Sequence, residues 1–385
     1  MFSLHQSYWL DNERLNEMLC YSAKTMSKEV HVVVGARPNQ MKAAPLLKLL
    51  RDSPDFVPFL VDTGQHYDHE MAGIFFEQFG MGSPNVFLNV GSATHGKQTA
   101  QILEAYEAVL IERQPAAVIV IGDVNSTVAC SLAATKLHVP TIHLEAGLRS
   151  NDRKMPEELN RIVTDHLCDL LWTPSPDGDE NLSREGISSE KIVRVGNIMI
   201  DTLVQMEDLF KARNMKQELG VQGPHLVVTL HRPSNVDYAE VLESILHQLQ
   251  TMAESFTLIW PMHPRTKARV ESFGLNTYLD HPNICCISPL GYVEFMSLVA
   301  SSHGVITDSG GIQEETTYLG LPCLTVRPNT ERPITITQGT NRLISSSEIT
   351  TSSEVFSKKS MPRPMIELWD GKTAERCLDS LKKLL

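Results

Sequence analysis

The chain has 385 residues, 42% apolar and 21% charged, with a formal net charge of −12. At roughly 100–200 residues per domain this predicts two domains, each with enough chain to bury its own core without disulfide or metal staples. The acidic balance excludes nucleic acid as a partner and obliges any phosphate site to be locally basic, and no apolar run approaches the roughly 18 residues that would suggest a membrane span.

Residues 1–28 mix acids with basic residues and lack an apolar centre, so they read as an N-terminal extension rather than a signal peptide. Short β-branched runs then alternate with helical stretches. Strands are predicted at 30–34, 57–61, 86–90, 117–121 and 140–144 in the first half, and at 226–230, 256–260, 284–287, 304–307 and 323–326 in the second. Runs this apolar and short predict strands buried on both faces, and the helices between them predict right-handed crossovers and parallel sheets. Two doubly wound α/β lobes fit better than one sheet of ten or more strands. The first lobe is expected over 29–200 and the second over 201–366. A C-terminal helix over 367–385 is expected to cross back onto the first lobe, by analogy with two-lobed folds of this type. The seven cysteines show no C-x-x-C spacing and read as buried thiols of a reducing cytoplasm, Cys285 and Cys286 within an apolar strand.

The chemistry-bearing segments follow strand ends. After the first strand comes Gly35-Ala36-Arg37-Pro38-Asn39-Gln40-Met41-Lys42. Gly35 allows a tight turn, Pro38 suits a first helical turn, and Arg37 and Lys42 add charge to an anion-accepting helix N-terminus. An ordinary strand–helix turn with surface cations would read the same way. Asp123 follows the strand at 117–121, and Glu145 follows the next, so both emerge at one edge of one sheet. Glu157 opens a helix. It is either one of several carboxylates dividing acid and base roles or a first-turn acid pairing with Arg161. Glu158 reads as a solvated-face residue.

In the second half, His231-Arg232 and His263-Pro264-Arg265 each follow a strand, where open α/β sheets bind ligands. Ser309-Gly310-Gly311 joins a strand to a helix, with backbone N–H groups and a hydroxyl able to hold a phosphate, and Glu315 lies one turn on, able to accept from a ribose diol. Arg327 and Arg332 follow a later strand and complete the basic patch that the net charge withholds.

As a set, GARPNQMKAAPL, DTGQHYD, GDVNST, HLEAGLRS, MPEELNR, TLHRPSNVD, PMHPR, DSGGIQEE and NTERP resemble the non-hydrolysing UDP-N-acetylglucosamine 2-epimerases, in that family's order. The resemblance implies two Rossmann-like lobes similar to type B glycosyltransferases, no metal and no cofactor, a UDP-sugar as substrate, and a cytoplasmic homodimer. It assigns substrate binding to Arg37, His231, Ser309, Gly310, Gly311, Glu315 and Arg332, and catalysis to Asp123, Glu145, Glu157 and His231, with Lys42 nearby; the strand-end residues Lys42, Arg232 and His263 are further substrate-binding candidates. Some bacterial members bind a second UDP-sugar as activator. Asp68 stands where such members are expected to carry Gln, so activation is not carried over. The implied reaction eliminates UDP to give 2-acetamidoglucal, then re-adds it with the C2 proton on the opposite face. G-x-G-x-x-G is absent, which speaks against a nicotinamide route. Three alternatives share the pattern: a C2 epimerase of a UDP-2,3-diacetamido-uronic acid, a retaining type B glycosyltransferase, and a non-enzymatic nucleotide-sugar sensor. The last leaves Asp123, Glu145 and Glu157 without a shared purpose.

Overall fold

The computed structural model describes residues 27–64, 78–357 and 361–385. Among these, two sheets form. The first contains β1 (Lys28–Val34), β2 (Phe56–Asp62), β3 (Val86–Phe87), β4 (Ala117–Ile121), β5 (Thr141–Leu144), β6 (Leu170–Thr173) and β7 (Ile192–Arg194), in the order β3-β2-β1-β4-β5-β6-β7. The second contains β8 (His225–Thr229), β9 (Thr257–Pro261), β10 (Ile284–Ile287), β11 (Val305–Thr307), β12 (Cys323–Val326) and β13 (Asn341–Ile344), in the order β10-β9-β8-β11-β12-β13. The strand pairs are parallel, and helices connect them, so the predicted doubly wound α/β class is the one observed. The helices that bear on the site are α1 (Arg37–Asp52), α2 (Asn125–Lys136), α3 (Pro156–Leu167), α4 (Ile198–Gln205), α5 (Pro264–Ser272), α6 (Tyr292–Ser301), α7 (Gly310–Leu319) and α8 (Thr373–Leu384). None of the described helices is long and apolar enough to cross a membrane.

The chain divides into two compact units. One comprises the described residues of Met1–Ile142, Leu167–Asp169 and Leu381–Leu385; the other comprises those of His143–His166 and Leu170–Ser380. Residues 198–205, where the sequence suggests a lobe boundary, form helix α4. Its Asp201 is buried and accepts from the backbone of Thr373 and Ala374 at 3.0 and 2.7 Å, capping α8. Further along α8, the Trp172 indole of β6 donates to Ser380 Oγ at 2.9 Å, and Lys382 pairs with Asp55 at 3.1 Å.

Continuous apolar strands explain the core. Val30, Val32, Ile119 and Val120 are fully buried in the first sheet, as are Leu226, Val228, Ile306 and Leu324 in the second. The helix over Ala239–Ala253 lays Leu242, Ile245, Leu246 and Leu249 on the second sheet. Each such side chain contributes roughly 1.5–3 kcal/mol by leaving water. The edges depart from the prediction of two-sided burial. β10 is an edge strand, which leaves Cys286 exposed and Cys285 half-buried, while Cys130, Cys168, Cys323 and Cys377 are buried as expected. Cys20 lies outside the described residues. The run at 86–90 shrinks to two residues for the same reason, because β3 has a partner on one side only.

Each sheet reverses its winding once, between β1 and β4 and between β8 and β11. Such switch points are where open α/β sheets take ligands. In the second sheet Thr307 pairs with both Thr229 and Thr325, so the chain leaves β8, β11 and β12 at one level.

Candidate active site

At the first switch point, β1 runs through Gly35 into α1. Pro38 sits in the first turn as expected, and no side chain caps the helix N-terminus. Gly35 serves a different purpose from the one the sequence suggests. Its φ is not positive; instead a Cβ there would lie 2.1 Å from Ser126 Oγ and 2.8 Å from Thr63 Oγ1. Those hydroxyls bond each other at 2.7 Å, so the strand end is packed against α2 with no room for a side chain. Asn39 Nδ2 donates to the Ile121 carbonyl at 2.8 Å, tying the first turn of α1 to the end of β4. Lys42 is buried on α1, and Asp123 is half-buried two residues beyond β4. Tyr67 and Asp68 of DTGQHYD lie outside the described residues, so the activator reading has no structural counterpart here.

At the second switch point, His231 lies two residues beyond β8 and Asp308 directly follows β11. Asp308 is fully buried. It accepts from the backbone N–H of His231 at 3.0 Å and of Arg232 at 2.8 Å, and from Asn235 Nδ2 at 3.0 Å; His231 Nδ1 lies 3.0 Å away. Burial raises its carboxyl, but His231 and these donors outweigh that and hold it below the ordinary range. Ser309 then stands at the N-cap position of α7, its side chain making no capping bond. Neither Glu314 nor Glu315 is a surface acid complementing the helix dipole: they are 1% and 2% exposed. Burial and the neighbouring Glu314 push the Glu315 carboxyl up to about 8 against the opposing hydrogen bond of Tyr292 on α6.

Beside α7 stands a buried charge cluster. Arg332 reaches Glu145 at 2.9 Å, Glu314 at 2.9 Å and Glu331 at 2.5 Å. Arg327 takes the other oxygen of Glu331 at 2.8 Å, and Asn197 Nδ2 donates to Glu314 at 2.8 Å. Burial works against ionised Glu331, yet Arg332 and Arg327 keep its carboxyl far below the usual range. Glu145 enters the cluster directly from β5 with a left-handed φ of 76°, its backbone and that of Ala146 donating to the Trp172 carbonyl at 3.1 and 3.0 Å. Gly310 makes the approach possible: a Cβ there would lie 2.7 Å from Arg332 Nη1 and 2.8 Å from Glu331 Oε1.

Glu145, Arg332, Ser309, Gly310, Gly311 and Glu315 thus form one neighbourhood, and His231 with Arg232 forms the adjoining one through Asp308. Burial and Arg327 lower the Arg232 guanidinium, opposed by the charges of Glu331, Asp308 and, least, Glu157. His263 is exposed; it caps its own helix α5 by accepting from Arg265 N at 3.1 Å, its ring 5.6 Å from that of His231.

The reading of Glu158 as solvated is overturned. It is 2% exposed, accepts from Ser150 N, Ser150 Oγ and Asn151 N at 2.9, 3.0 and 2.8 Å, and takes Arg161 at 3.1 Å. The loop before α3 folds back over it, which helical periodicity does not register. Among ion pairs of the described residues, Arg161 is joined to Glu158, not to Glu157. The sequence reading also passed over Asp308, Glu314 and Glu331. The available signal for Asp308 was an acid between an apolar strand and a glycine pair, and for Glu331 an acid between two arginines expected to bind anions.

The sequence profile of a family described as UDP-N-acetylglucosamine 2-epimerase matches residues 48–382. A UDP-N-acetylglucosamine 2-epimerase homolog of Methanococcus maripaludis is 41% identical over 324 residues, covering 83% of this chain and 89% of that protein. The UDP-2,3-diacetamido-2,3-dideoxy-D-glucuronate 2-epimerase of Pseudomonas aeruginosa is 39% identical over 321 residues, 82% of this chain and 88% of its own. The crystal structure of Methanocaldococcus jannaschii UDP-GlcNAc 2-epimerase in complex with UDP-GlcNAc and UDP superposes with a TM-score of 0.84 at 37% identity, over 92% of this chain and 99% of that one.

Proposed function

We propose, from the premise that this chain belongs to the UDP-N-acetylglucosamine 2-epimerase family and is an epimerase, that it interconverts UDP-N-acetylglucosamine and UDP-N-acetylmannosamine by elimination and re-addition of UDP. The observation that carries the reading is the 2.9 Å contact between Glu145, a candidate proton-transfer group, and Arg332, a candidate diphosphate ligand. The C2 proton of a hexosamine is not beside a carbonyl, so direct deprotonation is hard. If a carboxylate removes it, the C–H pair forms the C1=C2 bond and the C1–O pair departs with UDP. Cations and the α7 N-terminus stabilise that leaving diphosphate. Return of UDP to C1 and of a proton to the other face of C2 completes the inversion, with Asp123, Glu145, Glu157 and His231 as candidate acids and bases. Residues 29–200 and 201–366 form its two lobes, the strands of the first sheet falling in one and those of the second in the other. A cytoplasmic homodimer without metal or nicotinamide is the working form.

In heavy water the product should gain one deuteron at C2, and oxygen-18 placed in the C1–O–P bridge should scramble into the diphosphate. Product with neither label change rules out elimination and reopens oxidation–reduction. Turnover of UDP-N-acetylglucosamine without an acceptor separates the epimerase from a glycosyltransferase or a sensor. The P. aeruginosa relative supports a second substrate, a UDP-2,3-diacetamido-uronic acid; turnover of that sugar alone would select it.

The Ser309-Gly310-Gly311 turn is tested through affinity. Gly310→Val places a branched side chain against Arg332 and Glu331, and UDP affinity should fall at least roughly tenfold, about 1.4 kcal/mol. Calorimetric titration giving an unchanged dissociation constant in a folded variant removes this turn from the diphosphate site.

A further inference from the structure

We propose that Asp308 is a positioning residue that holds His231 as the Nδ1–H tautomer, so that Nε2 is offered to the UDP-sugar as an acceptor. This rests on the function proposed above for the role of His231, and on geometry alone for the tautomer.

An ionised carboxylate only accepts, and every neighbour of Asp308 in the site donates to it. The backbone N–H of His231 reaches both oxygens, at 3.1 and 3.0 Å; that of Arg232 lies 2.8 Å from Oδ2, and Asn235 Nδ2 lies 3.0 Å from Oδ2. The orientation of the Asn235 amide is itself fixed, because Nδ2 also donates to the Val326 carbonyl at 2.9 Å. Facing Oδ1 at 3.0 Å is the imidazole Nδ1; two lone pairs at that distance would repel, so Nδ1 is the nitrogen that carries hydrogen. In the neutral ring the lone pair is then on Nε2. Arg232 Nε donates to the Asp308 carbonyl at 2.9 Å, and Asp308 N donates to the Thr229 carbonyl at 3.2 Å, so the residue is held through its backbone as well.

The same donor set dictates what an amide would do. In Asp308→Asn one oxygen becomes NH₂. At the Oδ2 position that group would face three fixed donors, His231 N–H, Arg232 N–H and Asn235 Nδ2. At the Oδ1 position it faces only one fixed donor, the His231 N–H, which keeps its bond to the remaining oxygen, so the amide nitrogen takes the Oδ1 position and donates to Nδ1. The imidazole is the one partner able to adapt, by moving its proton to Nε2. The variant keeps shape and anchoring but turns Nε2 from acceptor to donor, an inversion that costs a catalytic imidazole orders of magnitude in turnover elsewhere.

The test uses the full-length protein with nitrogen-15 histidine. The His231 ring signals are identified by their loss in His231→Gln, and the tautomer is read from the nitrogen shifts and two-bond couplings at a pH where the ring is neutral. The wild type should show the Nδ1–H form and Asp308→Asn the Nε2–H form. The variant should also lose roughly tenfold or more in kcat, with UDP affinity within about threefold of wild type. A wild-type ring protonated on Nε2, or a variant with the wild-type tautomer, overturns the hold of Asp308. A switched tautomer with unchanged kcat overturns its role in the reaction. A wild type without turnover of any UDP-sugar defeats the proposed function instead, and the ring spectra still decide the tautomer. Should Asp308→Asn fail to fold, the wild-type spectrum alone carries that decision.

Discussion

Asp123→Asn and Glu157→Gln should each lower turnover by roughly 10²-fold or more while leaving UDP affinity nearly unchanged. Both substitutions keep size and remove basicity, the change that matters if the group moves the C2 proton. For Glu157 the main structural alternative was a helix-surface pair with Arg161, and Arg161 is instead held by Glu158 at 3.1 Å. Glu157 is half-buried at the first turn of α3, with its charge bearing on Arg232. Glu158→Gln makes the contrast. Its carboxylate ties down the Ser150–Asn151 loop, so that change should act first on the melting temperature. Steady-state kinetics with UDP-N-acetylglucosamine, set beside UDP titrations, checks both. Near-normal kcat in Glu157→Gln would return that residue to a structural role.

Arg332→Met should cost about 3–5 kcal/mol of unfolding free energy, because it removes the one cation that three buried carboxylates share. Glu331 keeps Arg327 and Glu314 keeps Asn197, but Glu145 loses the ion pair at its side chain. The loss has a pH signature. Glu331 titrates below its unfolded value, so the stability it contributes is present above the ordinary carboxylate range and is lost as pH falls. The deficit of Arg332→Met should therefore be full near neutrality and shrink as the medium is acidified through that range. Urea denaturation of the ligand-free protein at several pH values measures it. A loss below about 1 kcal/mol at pH 7, or one that grows in acid, would mean the cluster is not held by its charges.

Much of this fold could be read from the sequence because its strands are buried on both faces. β4 and β12, interior strands, fall at the predicted residues because short, mostly apolar runs leave little choice, and the edge strand β10 falls there too although Cys286 is exposed. β6 was missed because Leu170-Leu171-Trp172-Thr173 begins two residues after α3 and reads as its continuation. β13 was missed because Asn341 and Arg342 suit only an edge. The site was legible where function leaves a backbone trace: paired glycines after a strand, a proline in a first helical turn, basic residues at strand ends. It was illegible where a polar group is defined by what surrounds it. Asp308 is defined by donors 73 to 77 positions away, and Glu331 by Arg327 and Arg332, the second of which also reaches Glu145, 187 positions away.

Position 145 has a consequence for how the chain can change. A glutamate at φ 76° sits where L-residues lose roughly 1–2 kcal/mol, and where Gly, Asn and Asp are at ease. Under selection for folding alone, substitutions drift toward those three. Gly and Asn abandon the charge. Asp keeps it and eases the backbone, but is one methylene shorter, and it is the outer oxygen of the longer side chain that meets Arg332. If Glu145 moves the proton as proposed, foldability and chemistry pull this codon in opposite directions, and the unfavourable backbone angle persists at position 145 only while purifying selection for that chemistry continues.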